Sequence, residues 1–186
     1  MLKRSIDLVI SLLGLILFSP VLLIITFFIL LKDGFPVVYK QERVGLFGKP
    51  FTIYKFRTMV NGADYIGPLF TSKDDPRITR IGALLRKTSL DELPQLINVL
   101  KGDMSLVGPR PNVADQQHEY QIDDWNLRNS VLPGITGLAQ IYGRSACTFQ
   151  ERLYFDLQYV RTHNVLLDMK IIILTICNVI LRKGSF

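Results

Sequence analysis

The chain of 186 residues has only two cysteines, Cys147 and Cys177, and two isolated histidines, His118 and His163. No CxxC or Cys/His spacing of a zinc site is present, and the cysteines read as small apolar fillers in a reducing compartment. The sequence has no N-x-Ser/Thr sequon, no repeat and no low-complexity stretch. Gly45-x-x-Gly48-Lys49-Pro50 is no P-loop, because the spacing is short and no Ser/Thr follows the lysine. Charge is modest, 20% of residues against 48% apolar, which excludes a disordered chain. A domain of this length buries a real core without disulfides.

What charge there is lies unevenly. The net +6 divides into +1 over residues 1–31, +5 over residues 32–110 and zero over residues 111–186. The excess follows an apolar N-terminal run and fits anionic partners such as phosphates, nucleotides or lipid head groups. Residues 8–31 carry no charge, and 24 residues suffice to cross a bilayer as a helix. No small-x-small cleavage site follows, which disfavours a signal peptide. Two readings remain open: a straight spanning helix, and a helix that enters the membrane, bends and returns. Ser19-Pro20 at mid-run favours a bend, because proline lacks the donor N–H and clashes with the carbonyl of Ile16, while the serine hydroxyl can satisfy a freed carbonyl. Basic residues on both flanks, Lys3 and Arg4 before and Lys32, Lys40 and Arg43 after, would by the positive-inside rule place both ends on the cytoplasmic side, whereas a spanning helix leaves Lys3 and Arg4 outside.

Beyond the run, Val37–Tyr39 and Phe51–Tyr54 predict short strands of a hairpin around Gly45–Pro50. Residues 60–76 are loop-like. Helical spacing appears at Ile78, Ile81, Leu84 and Leu85, then at Leu93, Leu96, Ile97 and Leu100, ending at Gly102. Residues 103–111 are turn-rich, 113–130 predict a polar helix, and Pro133–Gly137 a loop feeding a strand. Helices are expected over about 148–162 and 166–181, the last apolar and suited to a buried or interfacial position, with Arg182-Lys183 beyond it. The expected fold class is α/β, helix-dominated. It divides into residues 1–31 as a membrane helix and 32–186 as a small domain with a short β-hairpin.

Three stretches carry chemistry. In Arg86-Lys87-Thr88-Ser89-Leu90-Asp91-Glu92, two carboxylates follow two cations at an expected helix start. The plain structural reading is a capping box, Ser89-x-x-Glu92, with Asp91 complementing the helix dipole. The functional reading divides labour. One carboxylate attacks phosphorus, the other holds Mg²⁺ through water, and Arg86 and Lys87 offset the charge of a diphosphate. Gly108-Pro109-Arg110-Pro111 fixes one arginine between two prolines, either as a surface turn or as a preorganised fork for phosphate. On a strand, Lys55 and Arg57 share one face opposite Phe56.

The ordered motifs KFRTM at 55–59, DPRIT at 75–79, LLRKTSLDELPQ at 84–95, NVLKGDMS at 98–105, VGPRP at 107–111 and PGITGLAQ at 133–140 cover most of the chain. With Leu153-x-x-Asp156-x-x-Tyr159-Val160 and DMKII at 168–172, the sequence resembles the bacterial sugar transferases, specifically the monotopic phosphoglycosyl transferases. The resemblance implies transfer of a sugar-1-phosphate from a UDP-sugar to undecaprenyl phosphate with release of UMP, at the cytoplasmic face of the bacterial inner membrane. It implies Asp91 as nucleophile and Glu92 as the Mg²⁺-binding partner, with Asp91 nearby. Arg86 and Arg110 would serve the substrate phosphates, and Lys55 and Arg57 are candidates for the same role. Ser19-Pro20 aligns with the family's break in a re-entrant membrane helix. The product would open assembly of O-antigen, capsule, exopolysaccharide or glycoprotein by downstream glycosyltransferases. Only Met1 to Asp7 precede the apolar run, which corresponds to the minimal catalytic unit, and the ending soon after the last apolar helix favours galactose or glucose. The resemblance implies no nucleic-acid partner and leaves the oligomeric state open, a dimer included. The competing reading is a non-catalytic membrane-anchored adaptor for phosphate, lipid or nucleic acid.

Overall fold

The computed structural model of the chain describes residues 2–67, 75–143 and 147–181. Part of the expected loop (68–74) and the basic pair Arg182-Lys183 with the tail after it lie outside the described residues. Helix α1 (Leu2–Lys32) is long and apolar enough to cross a membrane by length and composition. It continues through Pro20, so the expected break does not divide it into two helices. The Ser19 hydroxyl donates to the Ile16 carbonyl at 2.8 Å, the group that Pro20 would otherwise leave without a partner.

Both ends of α1 are tied to the same folded body. At the start, Arg4 donates to the Val99 and Leu100 carbonyls at 2.6 and 3.1 Å, while the buried Asp7 carboxylate accepts from the Ser105 hydroxyl and the Leu106 N–H. At the end, Ile25 and Ile29 pack with Phe56 and Leu85. Between them, Ile16 to Pro20 are all exposed, more than a full helical turn.

The hairpin forms as expected, with longer strands. Strand β1 (Val38–Val44) pairs antiparallel with β2 (Pro50–Phe56) in the register Arg43 to Phe51 and Tyr39 to Lys55. Helix α2 (Arg80–Thr88) is capped by Thr79, whose hydroxyl accepts from the Gly82 N–H and donates to Asp33. Helix α3 (Gln95–Lys101) stops at Gly102 in the left-handed conformation. Asn98 is fully buried and clamps the hairpin onto α3, accepting from the Tyr54 N–H and donating to the Thr52 carbonyl.

The turn-rich stretch after α3 hides a strand. Here β3 (Ser105–Val107) pairs in parallel with β4 (Gly134–Thr136). Close approach explains the glycines on both sides: a Cβ on Gly134 would stand 2.0 Å from the Gly108 nitrogen. This two-stranded sheet adjoins the main core of Val99, Met104, Leu106, Val107, Leu138, Ile141, Tyr159 and Ile171. Each such side chain contributes about 1.5–3 kcal/mol on leaving water.

The expected polar helix over 113–130 is two elements. A 3₁₀ segment (Ala114–Glu119) ends at Tyr120, and α4 (Ile122–Arg128) follows. Tyr120 is extended because its ring packs inward against Trp125 and Phe149, at 5.2 and 4.8 Å between centroids. Helix α5 (Phe149–Thr162) starts with a true capping box, Thr148 with Glu151. Helix α6 (Val165–Ile180) exposes Leu166, Ile173, Ile176 and Val179. The architecture is helix-dominated with two small sheets.

Candidate active site

The carboxylate pair is not at a helix start. Ser89 closes α2 in the left-handed conformation, at φ 55°, and reverses the chain into a single 3₁₀ turn, Leu90–Glu92. The capping-box reading fails here: Ser89 makes no side-chain cap, and Glu92 is engaged elsewhere. Leu90 fastens the turn to the cluster of Ile25, Ile29, Phe56 and Leu85 at the end of α1. On a 3₁₀ turn neighbouring side chains diverge by about 120°, so the two carboxylates face different surroundings.

Glu92 is clamped. Its Oε1 accepts from Lys55 Nζ at 2.7 Å and from Arg110 Nη2 at 2.5 Å. Burial pushes its carboxyl up, but the Arg110 and Lys55 charges overcome this and hold it far below the usual carboxylate range. Asp91 is 8% exposed and makes no hydrogen bond through its carboxylate among the described residues. Burial pushes this carboxyl above its ordinary value, the Glu92 charge adds to that, and Lys55, Arg110 and Arg86 pull against it. One turn therefore presents a fixed, permanently ionised carboxylate and an unclamped one that is costly to ionise.

Cations surround the pair. Arg86 Nε donates to the Thr58 hydroxyl at 2.8 Å, and burial lowers its pKa while Asp91 and Asp75 partly restore it. Lys55 is lowered by burial and by Arg110, with Glu92 opposing. Arg110 projects 48% exposed from the Gly108–Pro111 loop, its pKa raised by Glu92. That loop is held from behind. Gly108 N–H donates to the Thr136 carbonyl, Gly134 N–H to the Pro109 carbonyl, and Arg128 donates to the Arg110 carbonyl while paired with Asp156 at 2.8 Å.

Of the residues expected to bind phosphate, Arg57 is placed otherwise. It is 5% exposed and donates Nη2 to the Asp33 and Gly34 carbonyls at 2.6 and 2.7 Å, while Nε and Nη1 have no partner among the described residues. The carbonyls left over at the end of α1 draw the guanidinium there. Sequence reasoning missed Arg128 and Asp156 as supports of the loop, and Arg43, which reaches the Pro111 carbonyl at 3.2 Å. Asp156 stood within a quoted motif, but nothing in its spacing pointed to Arg128.

Among the described residues no group of three or more His, Cys, Asp or Glu is placed to hold a metal. The hard oxygens of Asp91 and of Glu92 Oε2, whose nearest donor is Arg110 at 3.5 Å, still fit a Mg²⁺ that keeps waters and takes its other ligands from substrate phosphates.

Fold and site together define a helix-dominated domain with one long apolar N-terminal helix and a carboxylate pair ringed by cations. The comparison with known proteins is specific: the Bacterial sugar transferase family matches residues 1–182, and the chain belongs to that family. It is 46% identical to the uncharacterized sugar transferase EpsL of Bacillus subtilis, over 98% of this chain and 89% of the relative. It is 44% identical to the undecaprenyl-phosphate galactose phosphotransferase of Salmonella typhimurium, and 43% identical to the UDP-glucose:undecaprenyl-phosphate glucose-1-phosphate transferase of Escherichia coli. All of this chain matches in both, but it spans only 42% of either relative's length.

Proposed function

We propose that the chain transfers a sugar-1-phosphate from a UDP-sugar to undecaprenyl phosphate, releasing UMP, as an early membrane step of bacterial glycan assembly. The observation that carries the mechanism is the asymmetry of the pair: Glu92 is spent on two cations and Asp91 is unclamped. An Asp91 carboxylate oxygen attacks the sugar-bearing phosphorus. The new O–P bond forms as the bridging P–O bond breaks, and the electron pair leaves on the UMP phosphate, with no proton needed. The acceptor phosphate then attacks the same phosphorus, and the bond to Asp91 breaks with its electrons returning to the carboxylate. Arg86, Lys55 and Arg110 offset charge that builds on the phosphoryl oxygens. Mg²⁺, when bound beside Glu92 and Asp91, would neutralise diphosphate charge. Glu92, ionised at any physiological pH, keeps Lys55 and Arg110 aimed at that space.

The membrane placement belongs to the same proposal. Helix α1 dips into the inner membrane from the cytoplasmic side and returns, with Ile16 to Pro20 deepest. The support is that both ends of α1 bind one folded body while every residue of that middle turn is exposed. The active site then lies at the depth of the lipid phosphate.

The test is UMP release over a panel of UDP-sugars, with undecaprenyl phosphate and Mg²⁺. Without acceptor, radiolabelled sugar phosphate should accumulate on the peptide holding Asp91. No UMP from any donor would overturn the reaction, and release without trapped label would overturn the covalent step.

A further inference from the structure

Among the described residues, Arg43 stands at the rim of the site with no carboxylate of its own. Its Nε and Nη2 donate to Gln41 Oε1 at 3.0 and 2.5 Å, and Nη1 to the Pro111 carbonyl at 3.2 Å. These acceptors are neutral. They take three of its five N–H groups, leaving one N–H on each terminal nitrogen for a further acceptor. In the hairpin register Arg43, Gln41 and Tyr39 lie opposite Phe51, Ile53 and Lys55, so Arg43 is on the same face as Lys55, which reaches Glu92.

The arrangement also has a direction. The charges acting on Asp91 are those of Glu92, Lys55, Arg110 and Arg86. Those acting on Arg43 are Arg110, Tyr39 and Glu92, and burial together with Arg110 disfavours its charge. Geometry sets the direction: Leu90, beside Asp91, packs on the cluster containing Phe56 at one end of β2, whereas Arg43 pairs with Phe51, five residues back along that strand, so Arg43 lies toward the other end of the hairpin from Asp91. A half-buried cation beside a second cation, held by neutral acceptors, is offset when an anion binds. In phosphoryl transfer the leaving group departs opposite the nucleophile.

We propose that Arg43 is a substrate-binding residue that grips the leaving-group phosphate of the nucleoside diphosphate donor, on the side of the site away from Asp91. This rests on the reaction proposed above and deepens it. Lys55 and Arg110, shared with Glu92, act on the transferred phosphoryl group, and Arg43 acts on the departing nucleoside monophosphate.

The experiment uses the full chain in lipid nanodiscs and compares wild type, Arg43→Gln and Arg43→Lys. UMP binding is titrated calorimetrically, KM is measured for donor and for undecaprenyl phosphate, and thermal unfolding is followed. Arg43→Gln should weaken UMP binding and raise donor KM about tenfold or more, with acceptor KM unchanged. Arg43→Lys, which can still reach the Pro111 carbonyl, should keep the wild-type melting temperature but not the UMP affinity. Unchanged UMP affinity in Arg43→Gln overturns the inference. So does restoration of both stability and affinity in Arg43→Lys, the pattern of a loop pin. In either case wild-type UMP release leaves the reaction itself standing, whereas a wild type that releases no UMP overturns both.

Discussion

Replacing Arg128 by Met tests how the Gly108–Pro111 loop is held. Arg128 and Asp156 are each 2% exposed and paired at 2.8 Å, and the same guanidinium donates to the Arg110 carbonyl. Methionine keeps much of the volume and leaves the Asp156 carboxylate buried without its cation. Breaking a buried pair from one side costs about 3–5 kcal/mol. For a chain of this size that lowers the melting temperature by about 6–20 °C. The loss has a pH signature. Burial already pushes the Asp156 carboxyl up even with Arg128 opposing, and removing Arg128 pushes it further. A carboxyl whose folded pKa is raised costs nothing while both states are protonated. It destabilises the fold by about 1.4 kcal/mol per pH unit as pH rises past the unfolded value, until the folded group ionises. The gap to wild type should therefore be small near pH 4 and widen toward pH 8. Adding Asp156→Leu removes the orphaned carboxyl and should recover most of the stability. It should not recover UMP release, because the Arg110 carbonyl still lacks its donor. Thermal unfolding in nanodiscs across pH, with UMP release at each step, reads both effects. A single variant that melts with wild type at pH 8, or a double variant with full activity, would refute the reasoning.

Asp91→Asn should abolish transfer yet stabilise the fold at neutral pH, since it removes a buried carboxylate whose ionisation burial and Glu92 disfavour. The melting gain should vanish at low pH, where the wild-type group is protonated in both states, and near-normal turnover would sink the covalent step. Glu92→Gln should lower the rate and weaken its dependence on Mg²⁺ in UMP-release titrations; an unchanged metal profile at normal rate would remove Glu92 from the chemistry. Replacing Ser19-Pro20 with Leu-Leu should straighten α1 and expose its start. Leu2→Cys, with Cys147 and Cys177 replaced, should react with an impermeant reagent on sealed cells only after that change, and labelling with Ser19-Pro20 intact would disprove the re-entrant path.

The sequence by itself determined the elements whose periodicity is local. These are the apolar helix, the hairpin around Gly45–Pro50, and α2, α3, α5 and α6, each close to its expected bounds. It also determined the family, because the motifs stand in order over the whole chain. It marked Asp91, Glu92, Arg86, Arg110 and Lys55 as candidates, and these are the residues that meet. Tertiary structure decided what depends on partners far along the chain. Strands β3 and β4 have three residues each among glycines and prolines, and they exist only because each supplies the other's hydrogen bonds. The Ser89-x-x-Glu92 pattern reads locally as a cap. Cations 37 and 18 residues away claim the glutamate instead, and the only evident trace is a left-handed Ser89. Arg57 looked like a phosphate ligand until the end of α1 supplied carbonyls for it. Arg43 and Arg128 carry no local signal that separates them from ordinary charged residues, and the motif around Asp156 does not say what Asp156 pairs with. Their roles come from which main-chain carbonyls and carboxylates the fold brings within reach, and local spacing does not encode that.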